Sequence, residues 1–440
     1  MLIPSIDLMG GRAVQLVGGR EKALEVDDVV GLARRFRVYG EIAVIDLDAA
    51  LGRGDNRALV ERLCREARCR VGGGVRDRRR AAELLRAGAS RVIVGTAASE
   101  ELLAGLPRER VLVAVDHRAG TLLSHGWQAE EREAPLERIR RLSPLCGGFL
   151  VTRVDREGRL GGVDWDAARE LRAATDRGLT YAGGVASAAD VAALDRLGLD
   201  AQVGMALYTG RLDPAEAFAA CLDFDKGGGR LPCVVEDAAG RVRMLAWQTP
   251  ESLRQALAAG RGVYWSRSRG EVWVKGATCG NTQQLLRARA DCDRDTVLFT
   301  VDSPGPVCHT GTATCFGPVD FRLDDLEAVI ARRREAAPPE SYTARLLADP
   351  ALLDAKIREE AEEVIEARER PDDLVWECAD LLYHLLAQMA AGGVRLDQVA
   401  AELERRHAVP RDRNPNLTAK APRSPSAGRQ RNSTQIHADL

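Results

Sequence analysis

The sequence predicts a (β/α)8 barrel, then a small β-rich α+β domain, then an all-α helical bundle, and three observations carry that expectation. The first is an internal repeat at an offset of about 110 residues: Ile6-Asp7-Leu8 returns as Val115-Asp116-His117, Val71 to Val75 as Tyr181 to Val185, and Val94-Gly95-Thr96-Ala97 as Val203-Gly204-Met205-Ala206. The second is the glycine-rich joint Asp225 to Arg230, after which β-rich segments carry Trp247, Trp265 and Trp273. The third is the set of long periodic segments that begins at Leu323.

In the first part, short β-branched runs such as Arg91 to Val94 alternate with amphipathic stretches such as Arg79 to Ala87 and Ala188 to Leu197. A doubly wound open sheet shares that alternation, but a duplicated half-barrel also explains the repeat. The expected domains are 1–225, 226–318 and 319–410. Helices are expected at Leu323 to Arg334, Leu352 to Arg368, Leu374 to Ala391 and Leu396 to Arg406, and the polar stretch 411–440 is expected to be disordered.

Composition bounds the function. The chain has 440 residues, 45% apolar and 29% charged, with a formal net charge of -2. No overall field draws it to nucleic acid or an anionic membrane, so small-molecule partners are expected. Ten cysteines without a compact framework point to a reducing compartment. With no basic leader and no apolar segment of membrane length, the reading is cytoplasmic.

The residues with chemistry fall into three sets. In the barrel, Asp7 and Asp116 occupy equivalent strand ends and form a carboxylate pair for acid and base work. Gly73, Gly74, Gly95 and Thr96, with their copies Gly183, Gly184, Gly204 and Met205, offer open backbone N–H groups of the kind that hold phosphate. The same glycines also fit plain tight turns. Two such sites imply a substrate with a phosphate at each end.

In the second part, Asp291, Asp293 and Asp295 alternate with Cys292. In an extended segment the three carboxylates share one side, which suits a hard cation such as Mg2+. Cys292, Cys308 and Cys315 suit Zn2+ with one position left for water, and His309 is a candidate proton carrier. A calcium-like acidic loop beside core cysteines is the alternative. In the helical part, Glu360 with Glu363, and Glu377 with Asp380, share helix faces. Glu377 and Asp380, expected to pack among Trp376, Leu381, Leu382 and Leu385, need a cation to offset desolvation, whereas Glu360 and Glu363 alone read as solvated.

Three resemblances follow. Residues 1–220, with Asp46-Leu47-Asp48, His125-Gly126-Trp127 and Ala206-Leu207-Tyr208, resemble the histidine-biosynthesis isomerase that converts ProFAR to PRFAR. That likeness implies Asp7 as general base, Asp116 as general acid and Thr152 as an assistant. Where the family reads Thr-Asp-x-x-x-Asp-Gly-Thr, this chain has Thr152-Arg153-Val154-Asp155-Arg156-Glu157-Gly158-Arg159, so a longer acid and an arginine enter the region.

The second part resembles phosphoribosyl-AMP cyclohydrolase through Tyr264 to Arg269, Trp273 to Gly276, Gly280-Asn281 and the metal segment. The likeness implies zinc ligands drawn from two subunits and hence a homodimer, with Arg267, Arg269 and Lys275 as phosphate and ribose contacts. For these three a solvated strand face is the other reading. The helical part is similar to phosphoribosyl-ATP pyrophosphohydrolase through its acidic pairs, Ser341-Tyr342-Thr343, Lys356, Tyr383-His384 and Leu403 to His407. Together the likenesses imply consecutive steps of histidine biosynthesis on phosphoribosyl nucleotides. The alternative is a bifunctional cyclohydrolase and pyrophosphohydrolase with a non-catalytic barrel.

Overall fold

The structure is a computed structural model that describes residues 1–408 apart from 20, 125, 128, 318–320 and 339. The expected disordered stretch 411–440 and His125 lie outside the described residues, as do the side chains from Glu404 to His407. The chain divides into two compact units, Met1–Gly317 and Pro318–Arg406.

The first unit opens with eight parallel strands, Leu2–Met9, Ile42–Asp46, Cys69–Gly72, Arg91–Val94, Val111–Arg118, Gly148–Arg153, Gly178–Ala182 and Leu199–Val203. The eighth pairs with the first, Leu2 facing Ala201, which closes the barrel and excludes the open sheet. Equivalent positions of the repeat fall on equivalent strands. Helices between the strands are capped by short polar side chains: Asp77 accepts from the Arg80 amide at 2.7 Å, and Ser187 accepts from the Asp190 amide at 3.1 Å. Two extensions rise from the mouth: a hairpin Arg12–Val17 and Glu21–Val26 beside the first strand, and Thr121–Ser124 beside the fifth.

The opposite end of the barrel is plugged. Arg70, 2% exposed, donates to Glu41 through Nε at 2.9 Å and Nη2 at 2.6 Å, and to the Thr180 hydroxyl through Nη1 at 2.7 Å. A buried guanidinium is tolerable only when its donors are satisfied in this way.

The same unit continues into a six-stranded sheet in the order Glu271–Val274, Val263–Ser266, Val242–Gln248, Leu231–Glu236, Val297–Asp302 and Gln284–Ala290. One helix, Pro250–Ala259, packs its Leu253, Ala256 and Leu257 into the core. Its start is set by Thr249 and Pro250, and its end by Gly260 at φ 60°.

The second unit is helical: Leu323–Ala336, Tyr342–Ala348, Pro350–Glu366, Pro371–Ala391 and Leu396–Ala408. Four match the expected segments, and the short Tyr342–Ala348 was not anticipated. The expected packing of the long helix is corrected. Trp376 is 71% exposed and Leu382 and Leu385 are exposed too, while the core is built on Leu346, Leu353 and Ala387. The face chosen for burial is the one that meets the neighbouring helices, and it carries His384, Leu386 and Ala387.

Candidate active sites

All the predicted barrel residues line one cavity of about 450 Å³ at the C-terminal ends of the strands. Asp7 accepts from the Ser5 hydroxyl at 3.1 Å, and burial pushes its carboxyl up to about 6. Across the cavity, Asp116 accepts from the Trp127 indole N–H at 2.8 Å and from Thr152. Burial raises it as well, and these two bonds hold it down. Glu157 lines the same cavity, and burial plus the charges of Asp7 and Asp116 push it up to about 8. Three acids whose affinities for a proton are spread by environment can give and take protons at neutral pH.

Neither Arg153 nor Arg159 lines the cavity, and Arg159 is exposed. Thr152 points inward opposite Asp116, so by the two-residue alternation of a strand Arg153 points outward. There it pairs with Asp155 at 3.1 Å and with Asp164. The glycines divide by role. A Cβ on Gly73 would meet the Asp46 carbonyl at 2.1 Å, and one on Gly183 the Arg153 carbonyl at 2.4 Å, with φ of 100° and 94°. Both are required by the turn itself. Gly95 is different: a Cβ there meets nothing within 4 Å, so its side faces open cavity.

In the sheet domain Cys308 and Cys315 are neighbours. The Thr310 hydroxyl donates to the Cys308 sulfur at 3.1 Å, and hydrogen bonding from Thr310 and Thr312 draws that thiol down to about 6. His309 Nδ1 lies 3.8 Å from the same sulfur. Lys275 is 6% exposed, which removes the solvated reading for it, and its charge acts on Cys315. Arg267 and Arg269 are exposed and lie over the rings of Trp247 and Trp273, at 4.8 and 5.8 Å.

Cys292 is not with the other thiols. Among the described residues, the groups of three acidic, Cys or His ligand atoms within 4.8 Å of one another are Asp291, Asp293, Asp295 and Glu360, Glu363, Glu377. The first set fits a hard cation: its oxygens converge, and the Lys226 ammonium already approaches them, 2.9 Å from Asp293 and 3.5 Å from Asp295.

The helical site is also brought together, with burial opposite to expectation. Glu360 is 6% exposed, 3.7 Å from His384 Nδ1 and 4.0 Å from Lys356, whereas Glu377 is only partly covered. Glu360 lies on the face of Pro350–Glu366 that carries buried Leu353, which is why it is not solvated. Burial raises Glu360, and Asp380 and Glu363 raise it further. His384 Nδ1 lies 2.9 Å from the Asp380 carbonyl, a bond only an Nδ1–H can make, and its Nε2 shares a hydrogen bond with the Tyr342 hydroxyl at 3.3 Å, as acceptor when the ring is neutral.

Comparison with known proteins gives three family matches in chain order: histidine biosynthesis protein over residues 1–213, phosphoribosyl-AMP cyclohydrolase over 244–317, and phosphoribosyl-ATP pyrophosphohydrolase over 323–407. A histidine biosynthesis bifunctional protein HisIE from Bacteroides thetaiotaomicron is 39% identical over 195 residues, which are 42% of this chain and 96% of that protein. The chain belongs to the histidine-biosynthesis proteins.

Trifunctional histidine-biosynthesis proteins also match. Those from Saccharomyces bayanus and Saccharomyces cerevisiae are 45% and 41% identical over 184 and 217 residues, 42% and 49% of this chain. The chain spans only 23% and 27% of their length. In this histidine-biosynthesis chain, sequence reasoning missed Gln15, which lines the barrel cavity at 2% exposure and hydrogen-bonds Tyr208. Its signal was a polar residue inside the apolar run Ala13 to Val17. The ten cysteines are all free thiols, and no helix among the described residues is long and apolar enough to cross a membrane.

Proposed function

We propose that this chain performs three consecutive steps on phosphoribosyl nucleotides, in domains 1–225, 226–318 and 319–410. The helical domain hydrolyses phosphoribosyl-ATP to phosphoribosyl-AMP and pyrophosphate. The sheet domain adds water across the N1–C6 bond of the adenine ring to give ProFAR, and the barrel isomerises ProFAR to PRFAR. The observation that carries the barrel's part is the convergence of Asp7, Asp116, Thr152 and Glu157 on one cavity, with Arg153 turned away. Asp7 takes the role of base and Asp116, held by Trp127 and Thr152, that of acid. The open face at Gly95 suits one phosphate, and the turn at Gly204, whose own face is covered by the Gln15 side chain at 2.4 Å, is the equivalent place for the other.

Zinc on Cys308, Cys315 and Cys292 from a second copy of the chain would supply an acidified water, which accounts for the separation of Cys292 and implies a homodimer. His309 is placed to move that water's proton, and buried Lys275 and the stacked Arg267 and Arg269 to hold phosphate and ribose. Magnesium fits Asp291, Asp293 and Asp295, and a second site of Glu360, Glu363, Glu377 and Asp380. The chemistry is that of the cytoplasm. Separate assay of the three reactions on the purified chain tests the reading, and absence of any one product removes that step.

Two further outcomes are expected. Glu377→Gln and Asp380→Asn stop pyrophosphate release with the fold intact; normal release by Asp380→Asn would remove it from the site. Glu157→Gln stabilises the chain in a pH-dependent way. Because the folded carboxyl is raised from 4.5 to about 8, its stabilising contribution is full below pH 4.5 and is lost as pH rises through 8. The variant therefore melts with wild type at pH 4 and about 4 °C or more higher at pH 8.5, by calorimetry. Equal melting at both pH values contradicts the shift.

A further inference from the structure

Arg294 lies between two of the acidic residues that face the cation site, yet its side chain leaves the loop and crosses to the barrel. Nε and Nη2 donate to the two carboxylate oxygens of Asp195, each at 2.8 Å, while Nη1 donates back to the Asp291 carbonyl at 2.8 Å. Asp195 sits in the last turn of the barrel helix Ala188–Arg196 with its side chain 6% exposed, and it also accepts from the Met1 nitrogen at 2.7 Å. A two-pronged guanidinium–carboxylate pair against a buried acceptor fixes both distance and orientation.

The main chain is tied at the same point. The Asp223 amide, at the end of the barrel, donates to the Arg294 carbonyl at 2.7 Å, and Lys226 in the joint donates to the Asp293 carbonyl at 3.0 Å. Arg294 itself has a φ of 65°, a left-handed conformation unusual for a residue with a side chain, and it makes the turn that separates Asp293 from Asp295. Three carboxylates held within 4.8 Å repel one another, so anchors outside the loop add to the bonds within it that hold the turn. The outside anchors described here all come from the barrel or the joint.

We propose that Asp195 of the barrel is a positioning residue for the acidic loop Asp291–Asp295 and, through it, for the loop's divalent cation. The isomerase-like domain thus contributes part of the scaffold for a site in the next domain. This rests on the magnesium reading of the loop given above.

The test uses the full chain. Hydrogen exchange of the segment 291–297 and Mn2+ titration are compared for wild type, Asp195→Asn, Asp195→Glu and Arg294→Ala, with Asp293→Asn identifying which Mn2+ site belongs to the loop. Asp195→Asn and Arg294→Ala should speed exchange at the Asp295 and Thr296 amides, which now bond the Asp291 carboxylate, and weaken the loop's Mn2+ site by about tenfold. Asp195→Glu should recover part of both. Arg294→Ala guards against a folding defect, since it alters only a loop. Unchanged exchange overturns the proposal. Faster exchange with unaltered Mn2+ affinity reduces the pair to a tether between domains and overturns the positioning role. If Asp293→Asn removes no Mn2+ site, the magnesium reading fails, and exchange alone then decides whether Asp195 holds the loop.

Discussion

Cys308→Ser is expected to abolish the ring-opening step and to release zinc, leaving pyrophosphate release and isomerisation intact. In the proposed site three thiolates hold the ion, and a neutral serine hydroxyl is a far weaker ligand for zinc than a thiolate. A site with three protein ligands cannot spare one. Cys308 is also better prepared than Cys315, since the Thr310 hydroxyl bonds its sulfur and favours the thiolate, whereas burial raises the Cys315 thiol. Zinc content by elemental analysis, beside the three separate assays, checks this. Stoichiometric zinc in the variant would remove Cys308 from the ligand set.

Asp7→Asn and Asp116→Asn should each slow isomerisation by about 100-fold or more, the usual loss when a placed acid or base is removed. The two variants should differ in their dependence on pH. With Asp7 raised to about 6, a base at that position becomes active as pH rises through 6, so the wild-type rate climbs there and the Asp7→Asn rate does not. Glu157→Asp should leave the rate unchanged or raise it. A rate in Asp116→Asn within a few-fold of wild type would show that the Trp127 and Thr152 hydrogen bonds position a bystander.

The repeat made the barrel and most of its site readable, because a duplicated half places equivalent residues on equivalent strands, and Asp7, Asp116 and the glycine loops needed nothing more. The arginines of the altered segment do not reach the cavity, and for Arg153 strand alternation from Thr152 already implied it. Gln15 was unreadable from the repeat, since it lies on a hairpin that rises beside the first strand. In the helical unit, periodicity located the long helices but misassigned their buried faces. Leu382 and Leu385, three residues apart, share a helix face just as His384 and Ala387 do, and only the neighbouring helices decide between the two. The three cysteines had metal-ligand spacing in sequence, yet one chain does not bring them together, which spacing cannot reveal.

The Arg70 plug has a consequence for how intermediates travel. The sheet domain is fastened at the closed end of the barrel, where Asp195 and Asp223 meet Arg294, while the barrel's cavity opens at the other end. With Arg70, Glu41 and Thr180 locked together, the barrel interior offers no passage, so in the proposed reaction sequence ProFAR would enter the cavity from its open mouth. On the proposed function the fusion would secure equal numbers of the two sites rather than a passage through the barrel, and an added inactive barrel able to bind ProFAR should intercept it in proportion to its concentration.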